Sequence, residues 1–147
     1  PDRRGILTLS ELTVWFEHIV GEVPGDVQLV KRALTHGSTG QPDYQRLEFL
    51  GDRVLGLTIA EALFAHFPDE SEGRLSHRLN ALVSGVICAE IAREIGLQDH
   101  MVLGKQARDD GAKESDYVLG DMIEALDDAI YLCLGPAKAR AFVIRYW

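Results

Sequence analysis

Apolar residues recur along the chain at helical spacing, and no segment alternates convincingly at period two. Thr8-Leu9-Ser10-Glu11 reads as a capping box, and Leu9, Leu12, Phe16 and Ile19 follow at helix spacing until Gly21. A second helix is predicted after Asp26, carrying Val27, Val30 and Leu34 and ending near Thr35-His36-Gly37; GSTGQPDY is then a loop. Residues 45–67 form the longest segment. It is apolar around most of its circumference, which predicts a helix buried in the middle of the domain. Gly51 and Gly56 cost helix propensity there and point to close packing against another backbone. Helices are expected at 73–83, at 85–95 behind Ser84 as N-cap, at 116–134 behind Ser115, and from Pro136 to the end. Residues 97–113 read as irregular. The fold class is therefore all-α, in one domain.

Composition narrows the class. A chain of 147 residues, 46% hydrophobic, with two cysteines and no low-complexity tract, excludes a disordered or disulfide-built protein. No apolar run approaches the ~18–20 residues of a membrane span, and PDRRG lacks the apolar stretch of a signal peptide. Cys88 and Cys133 sit in apolar helical patterns, so free thiols in the cytoplasm are expected. The net charge of −8 argues against a polyanionic partner, but residues 109–128 hold eight acids and one base. The remainder, with 15 acids and 14 bases, is nearly neutral.

Two acidic pairs interrupt apolar helices. Glu48 and Asp52 are four apart, and Asp121 and Glu124 three apart, so each pair shares a helix face, ~5–6 Å between side chains. If the pairs face each other, carboxylates ~5 Å apart repel by roughly 3 kcal/mol at an effective dielectric near 20. Either some are protonated or a cation holds them, and an all-oxygen donor set favours Mg²⁺ or Mn²⁺ over zinc. Solvated helix surface is the other reading of such pairs. Zinc and di-iron motifs are missing, and Ser38 and Ser76 have no base at a readable spacing. His36 is expected to end a helix, where the dipole favours a cation.

The run Gln45-Arg46-Leu47-Glu48-Phe49-Leu50-Gly51-Asp52-Arg53-Val54-Leu55 closely resembles the signature of the ribonuclease III family. Ala33-Leu34-Thr35-His36-Gly37-Ser38 before it fits, as do Phe67-Pro68, Glu72-Gly73-x-x-Ser76, Ala89 to Arg93, Leu103-Gly104 and Leu119-Gly120-Asp121-x-x-Glu124-Ala125-Leu126. The resemblance covers essentially the whole chain in order. It implies an all-helical ribonuclease III catalytic domain over 1–147, a bundle around the buried signature helix. It also implies a Mg²⁺-dependent endonuclease, with Mn²⁺ able to substitute. Such an enzyme hydrolyses double-stranded RNA by metal-activated water, in rRNA and mRNA maturation and decay, leaving 5′-phosphate and 3′-hydroxyl ends.

Carried over by position, the resemblance makes Asp52 and Glu124 catalytic. Glu48, Asp121 and Glu124 become the direct metal ligands, with Asp52 completing the shell, and Glu72 an accessory acidic residue. Phe49 would insert into a partner subunit, implying a homodimer; an ordinary core aromatic is the alternative. Arg46, Arg53, Arg74, Arg78, Lys105 and Arg108 become candidate RNA contacts, and recognition by shape predicts weak sequence selectivity and strong salt dependence. The sequence departs from the family at Gln45, where many members have Glu, at Gly37 for a common Arg, and at Asp127-Asp128 for an apolar residue and a glycine. No double-stranded-RNA-binding domain is contained in the chain, and one is expected at the C-terminal side of the full-length protein. A catalytically weak scaffold on the same fold would be expected to have lost carboxylates, and an unrelated acidic cation-binding helical protein would lack the extended motif.

Overall fold

Caps and breakers set the helices of the computed structural model, which describes residues 8–147; PDRRG lies outside the described residues. Thr8 and Glu11 form the reciprocal capping box that opens α1 (Leu9–Val20), and Gly21, left-handed at φ 88°, closes it. Asp26 caps α2 (Val27–Ala33) through bonds from the backbone N–H groups of Gln28 and Leu29. α3 (Gln45–His66) carries the signature. α4 (Glu72–Leu82) starts one residue earlier than expected because Ser71 caps it. α5 (Gly85–Glu94) is capped by Ser84, and α7 (Asp116–Leu134) by Ser115. Pro136 sits in the first turn of α8 (Pro136–Tyr146), where its missing N–H costs nothing.

The stretch read as irregular is more ordered than the sequence suggested. It contains short 3₁₀ turns at Leu97–His100 and Ala112–Glu114 and a short helix, α6 (Lys105–Asp109). Among the described residues there is no strand; Thr35 and Val102 form an isolated parallel bridge that ties the end of α2 to this stretch. His36 does not end α2. It caps the next 3₁₀ turn, its Nδ1 accepting from the Ser38 N–H, while the Ser38 hydroxyl accepts from the Gly104 N–H.

The centre of the bundle is α7, not the signature helix. α7 packs against α2, α3, α5 and α8, and every residue over 118–130 is buried except Asp121 and Glu124. α3 buries Leu47, Gly51, Leu55, Thr58, Ile59 and Leu63 on one side. Its other side leaves Phe49, Leu50, Leu57 and Phe64 exposed, Phe64 at 75%. The apolar circumference read from the sequence is thus real, but the chain itself covers only half of it. Phe49, at 61% exposure, is not a core aromatic. Each large apolar side chain fully buried around α7 (Leu55, Leu119, Met122, Ile123, Leu126, Ile130) contributes ~1.5–3 kcal/mol.

The two α3 glycines part company. A Cβ on Gly51 would lie 1.8 Å from the Glu124 carbonyl oxygen, so only glycine allows α3 and α7 to cross this closely. A Cβ on Gly56 would meet nothing within 4 Å, so close packing does not explain that glycine. No described helix is long and apolar enough to cross a membrane, and both cysteines are free thiols.

Candidate functional site

The crossing at Gly51 creates the site. Glu48 lies one turn before Gly51 on α3, and the backbone carbonyl of Glu124 on α7 lies directly against Gly51, so side chains flanking the contact are forced together. Glu48, Asp121 and Glu124 each offer a carboxylate oxygen, and these oxygens all lie within 4.8 Å of one another. The sequence-derived ligand set is brought together in these three. Asp52 is not part of that cluster: its Oδ2 is 2.9 Å from Nη1 of Arg53, with the side chain 46% exposed. Its charge still reaches the cluster, as the electrostatics show.

Burial and neighbouring negative charge oppose the ionisation of Asp121 and Glu124. Glu124 is pushed up to about 8, first by burial, then by the charge of Asp52 and by its hydrogen bond to Glu48 and the charges of Glu48 and Asp121. Asp121 is raised to about 6 by burial and the Glu48 charge, against an opposing hydrogen bond from Tyr44. Burial and the neighbouring acids therefore favour retention of a proton within the cluster. A divalent cation would replace that proton and offset the repulsion. The donors are all carboxylate oxygens, which suits a hard cation, so the residues fit such an ion.

The other sequence-predicted residues lie outside the cluster. Glu72, exposed at the start of α4, accepts from the Ser76 hydroxyl at 2.8 Å. Arg78 makes a two-pronged pair with Glu70 at 2.7 and 2.8 Å and lies 3.9 Å from the Phe67 ring centroid. Arg53, beyond its bond to Asp52, lies 4.2 Å from the Phe49 centroid. These two guanidinium groups are engaged within the domain. Lys105 pairs loosely with Asp109 at 3.7 Å, and Arg108 donates to the Leu103 carbonyl at 3.4 Å. Arg46 and Arg74 are exposed. Among the departures, Gln45 is exposed at the helix start, and a Cβ on Gly37 would sit 3.3 Å from Asp43. The acids before α7 and at its first residue are paired: Asp116 with Arg93, Glu114 with Gln98, Asp109 with Lys105, and Asp110 with Gln106.

One contact escaped the sequence, and one departure it flagged takes an unexpected form. Tyr44, only 6% exposed, donates its hydroxyl to Oδ2 of Asp121 at 3.5 Å and is itself pushed up to about 12, chiefly by burial and then by the Asp121 charge. The signal that could have found it is its spacing four residues before Glu48, on the same face. Asp127 and Asp128, the departure from an apolar residue and a glycine, find neither solvent nor partner: they are 0% and 1% exposed, and all four carboxylate oxygens lack a hydrogen-bond partner.

A family model described as Ribonuclease-III-like matches residues 26–147. The chain is 57% identical over 133 residues to ribonuclease 3 of Zymomonas mobilis, covering 90% of this chain and 54% of that protein. It is 51% identical over 125 residues to ribonuclease 3 of Brucella canis, covering 83% of this chain and 51% of that one. It thus spans about half the length of the curated relatives it matches. The crystal structure of the nuclease domain of ribonuclease III from Campylobacter jejuni superposes with a TM-score of 0.85 at 35% identity, over 90% of this chain and 91% of that one. A second structure of that domain, described as flexible in a region involved in dimer formation, gives 0.87 at the same identity. A matching family model, relatives above half identity and the same helical fold agree: the chain belongs to the ribonuclease III family.

Proposed function

We propose that this chain is the catalytic domain of a divalent-cation-dependent endoribonuclease that hydrolyses double-stranded RNA to 5′-phosphate and 3′-hydroxyl ends, in the cytoplasmic maturation and decay of rRNA and mRNA. The observation that carries the reading is the convergence of Glu48, Asp121 and Glu124 across the Gly51 crossing, in a chain of this family. These three hold the cation, Mg²⁺ or Mn²⁺. A bound cation supplies charge neutralisation at the phosphate and activates the attacking water. Asp52, once released from Arg53, would hold the water or add a further oxygen donor to the cation. No protein nucleophile is required.

The exposed apolar side of α3 supports a homodimer. Phe49, Leu50, Leu57 and Phe64 are solvent-facing in one subunit, beside a groove of about 330 Å³ lined by Leu50, Val54, Leu57, Tyr131, Pro136 and Arg140 among others. An unpaired apolar stripe of this kind is the mark of an interface. Arg46, Arg74, Lys105 and Arg108 are the groups placed to meet phosphates. With a net charge of −8, this domain alone binds RNA weakly, and affinity comes from a basic RNA-binding domain elsewhere in the full-length protein.

Incubation of the purified chain with long duplex RNA tests the reading. Cleavage is expected in Mg²⁺, none in Ca²⁺, and a loss on the order of 10²–10⁴-fold in Glu124→Ala, as removal of several kcal/mol of transition-state stabilisation implies. A folded dimer that leaves the duplex intact in Mg²⁺ at low salt would sink it.

A further inference from the structure

We propose that Tyr44 is a positioning residue that holds Asp121 and Glu48 in register to receive the divalent cation, an inference that rests on the cation-dependent reading above. Tyr44 stands at the junction of the loop and α3 and makes three connections at once. Its carbonyl accepts the Glu48 N–H at 2.8 Å, which fixes the first turn of α3. Its hydroxyl crosses to α7 and donates to Oδ2 of Asp121 at 3.5 Å. Its own N–H donates to the Thr35 carbonyl at 3.0 Å. Thr35 is in turn held to Val102, with the His36 N–H donating to the Val102 carbonyl and the Val102 N–H to the Leu34 carbonyl, both at 2.9 Å. One residue thus joins two ligands on different helices to a fixed backbone bridge.

The side chain is not there to cap the helix. Tyr44 occupies the N-cap of α3 with αR dihedrals and makes no side-chain capping bond, where Ser, Thr, Asp or Asn would be the usual choice. It is buried, so the ring is immobilised and the hydroxyl has a defined direction. A carboxylate with one oxygen anchored by a donor presents its remaining lone pairs in a fixed direction, and loss of such an outer partner typically costs ~10–100-fold in metal affinity. The contact is long as it stands, and hydrogen bonds around a reaction centre often tighten only when the ligand arrives.

Tyr44→Phe tests the assignment, because it removes one oxygen and keeps the buried ring. Mn²⁺ binding to the purified chain, without RNA, is followed by the electron paramagnetic resonance of free Mn²⁺. Wild type is expected to bind, and Tyr44→Phe to bind ~10-fold more weakly with an unchanged melting temperature. The half-saturating Mg²⁺ for RNA cleavage should rise by the same factor, while the rate at saturating Mg²⁺ stays near that of wild type. In an Asp121→Asn background the Tyr44→Phe change should have no further effect on Mn²⁺ affinity. Equal Mn²⁺ affinity in Tyr44→Phe and wild type overturns the proposal, as does a lowered melting temperature with affinity intact. Wild type that binds Mn²⁺ without cutting RNA would remove the nuclease reading and leave the Tyr44 assignment standing; wild type that binds no Mn²⁺ removes both.

Discussion

Asp121 and Glu124 lie on the same helix as Asp127 and Asp128, about one turn away, and in sequence all four are acids in an apolar run. Asp121 and Glu124 are half-buried and face Glu48 across the α3 crossing. Asp127 and Asp128 are fully buried, and no polar group meets them. Burial raises the pKa of both pairs, but only the first is also raised by acids on a facing helix. Convergence gives buried carboxylates the geometry of the proposed cation site; burial without it yields acids that fold best protonated. Gly51 borders both pairs, since a Cβ there would meet the Glu124 carbonyl at 1.8 Å and Cβ of Asp128 at 3.3 Å.

Gly51→Ala should therefore have the largest effect on the comparison. Forcing α3 from α7 is expected to cost on the order of 3 kcal/mol or more in denaturant unfolding and to abolish Mn²⁺ binding. Gly56→Ala, with open space around it, should instead gain ~1 kcal/mol from helix propensity. Equal effects at the two glycines would show that the crossing is not what the site depends on.

Replacing the second pair by Asp127→Val with Asp128→Ala should stabilise the fold by roughly 2 kcal/mol, because unpaired buried polar groups cost ~1–3 kcal/mol each. In a domain of this size that is a rise of roughly 5 °C in the thermal midpoint, with Mn²⁺ affinity unchanged. A lower midpoint would mean that the two acids have partners in solution.

The smallest effect separates the pairs by pH. Each group has a folded pKa above its unfolded value, so its stabilising contribution is complete at low pH and is lost as pH rises through the folded pKa. For Asp128 that loss runs from 3.8 to about 6, and Asp127 acts in the same direction; for Glu124 it runs from 4.5 to about 8. Saturating Mg²⁺ should cancel the part of the loss that belongs to Glu124 and leave the Asp128 part in place. Thermal midpoints from pH 4 to 9, with and without Mg²⁺, measure both, and an Mg²⁺-insensitive slope across the whole window would contradict the distinction.

The helices were legible in the sequence wherever a cap and a period coincided, as at Thr8, Ser84, Ser115 and Pro136. α6 was not, because it is five residues long and follows a Gly104 that offers no side-chain cap. Periodicity marked α3 as apolar all round but could not say which side the rest of the domain covers. The motif and its spacing led to Glu48, Asp121 and Glu124. The pairing of Asp52 with Arg53 depends on rotamers and leaves no trace in local pattern; the spacing of Tyr44 four residues before Glu48 marks its face, but not its reach to Asp121, 77 positions away.

Cys88 gives the scaffold under the site a built-in reporter. Its thiol is fully buried between α5 and α7, with Cβ 3.6 Å from where a Cβ on Gly120 would lie, and burial pushes it up to about 12. At neutral pH it has neither the access nor the ionisation that alkylation requires, whereas Cys133 is partly exposed. The slow phase of thiol labelling therefore times how often α5 lifts from the helix that carries Asp121 and Glu124, a clock for opening that needs neither RNA nor metal to read.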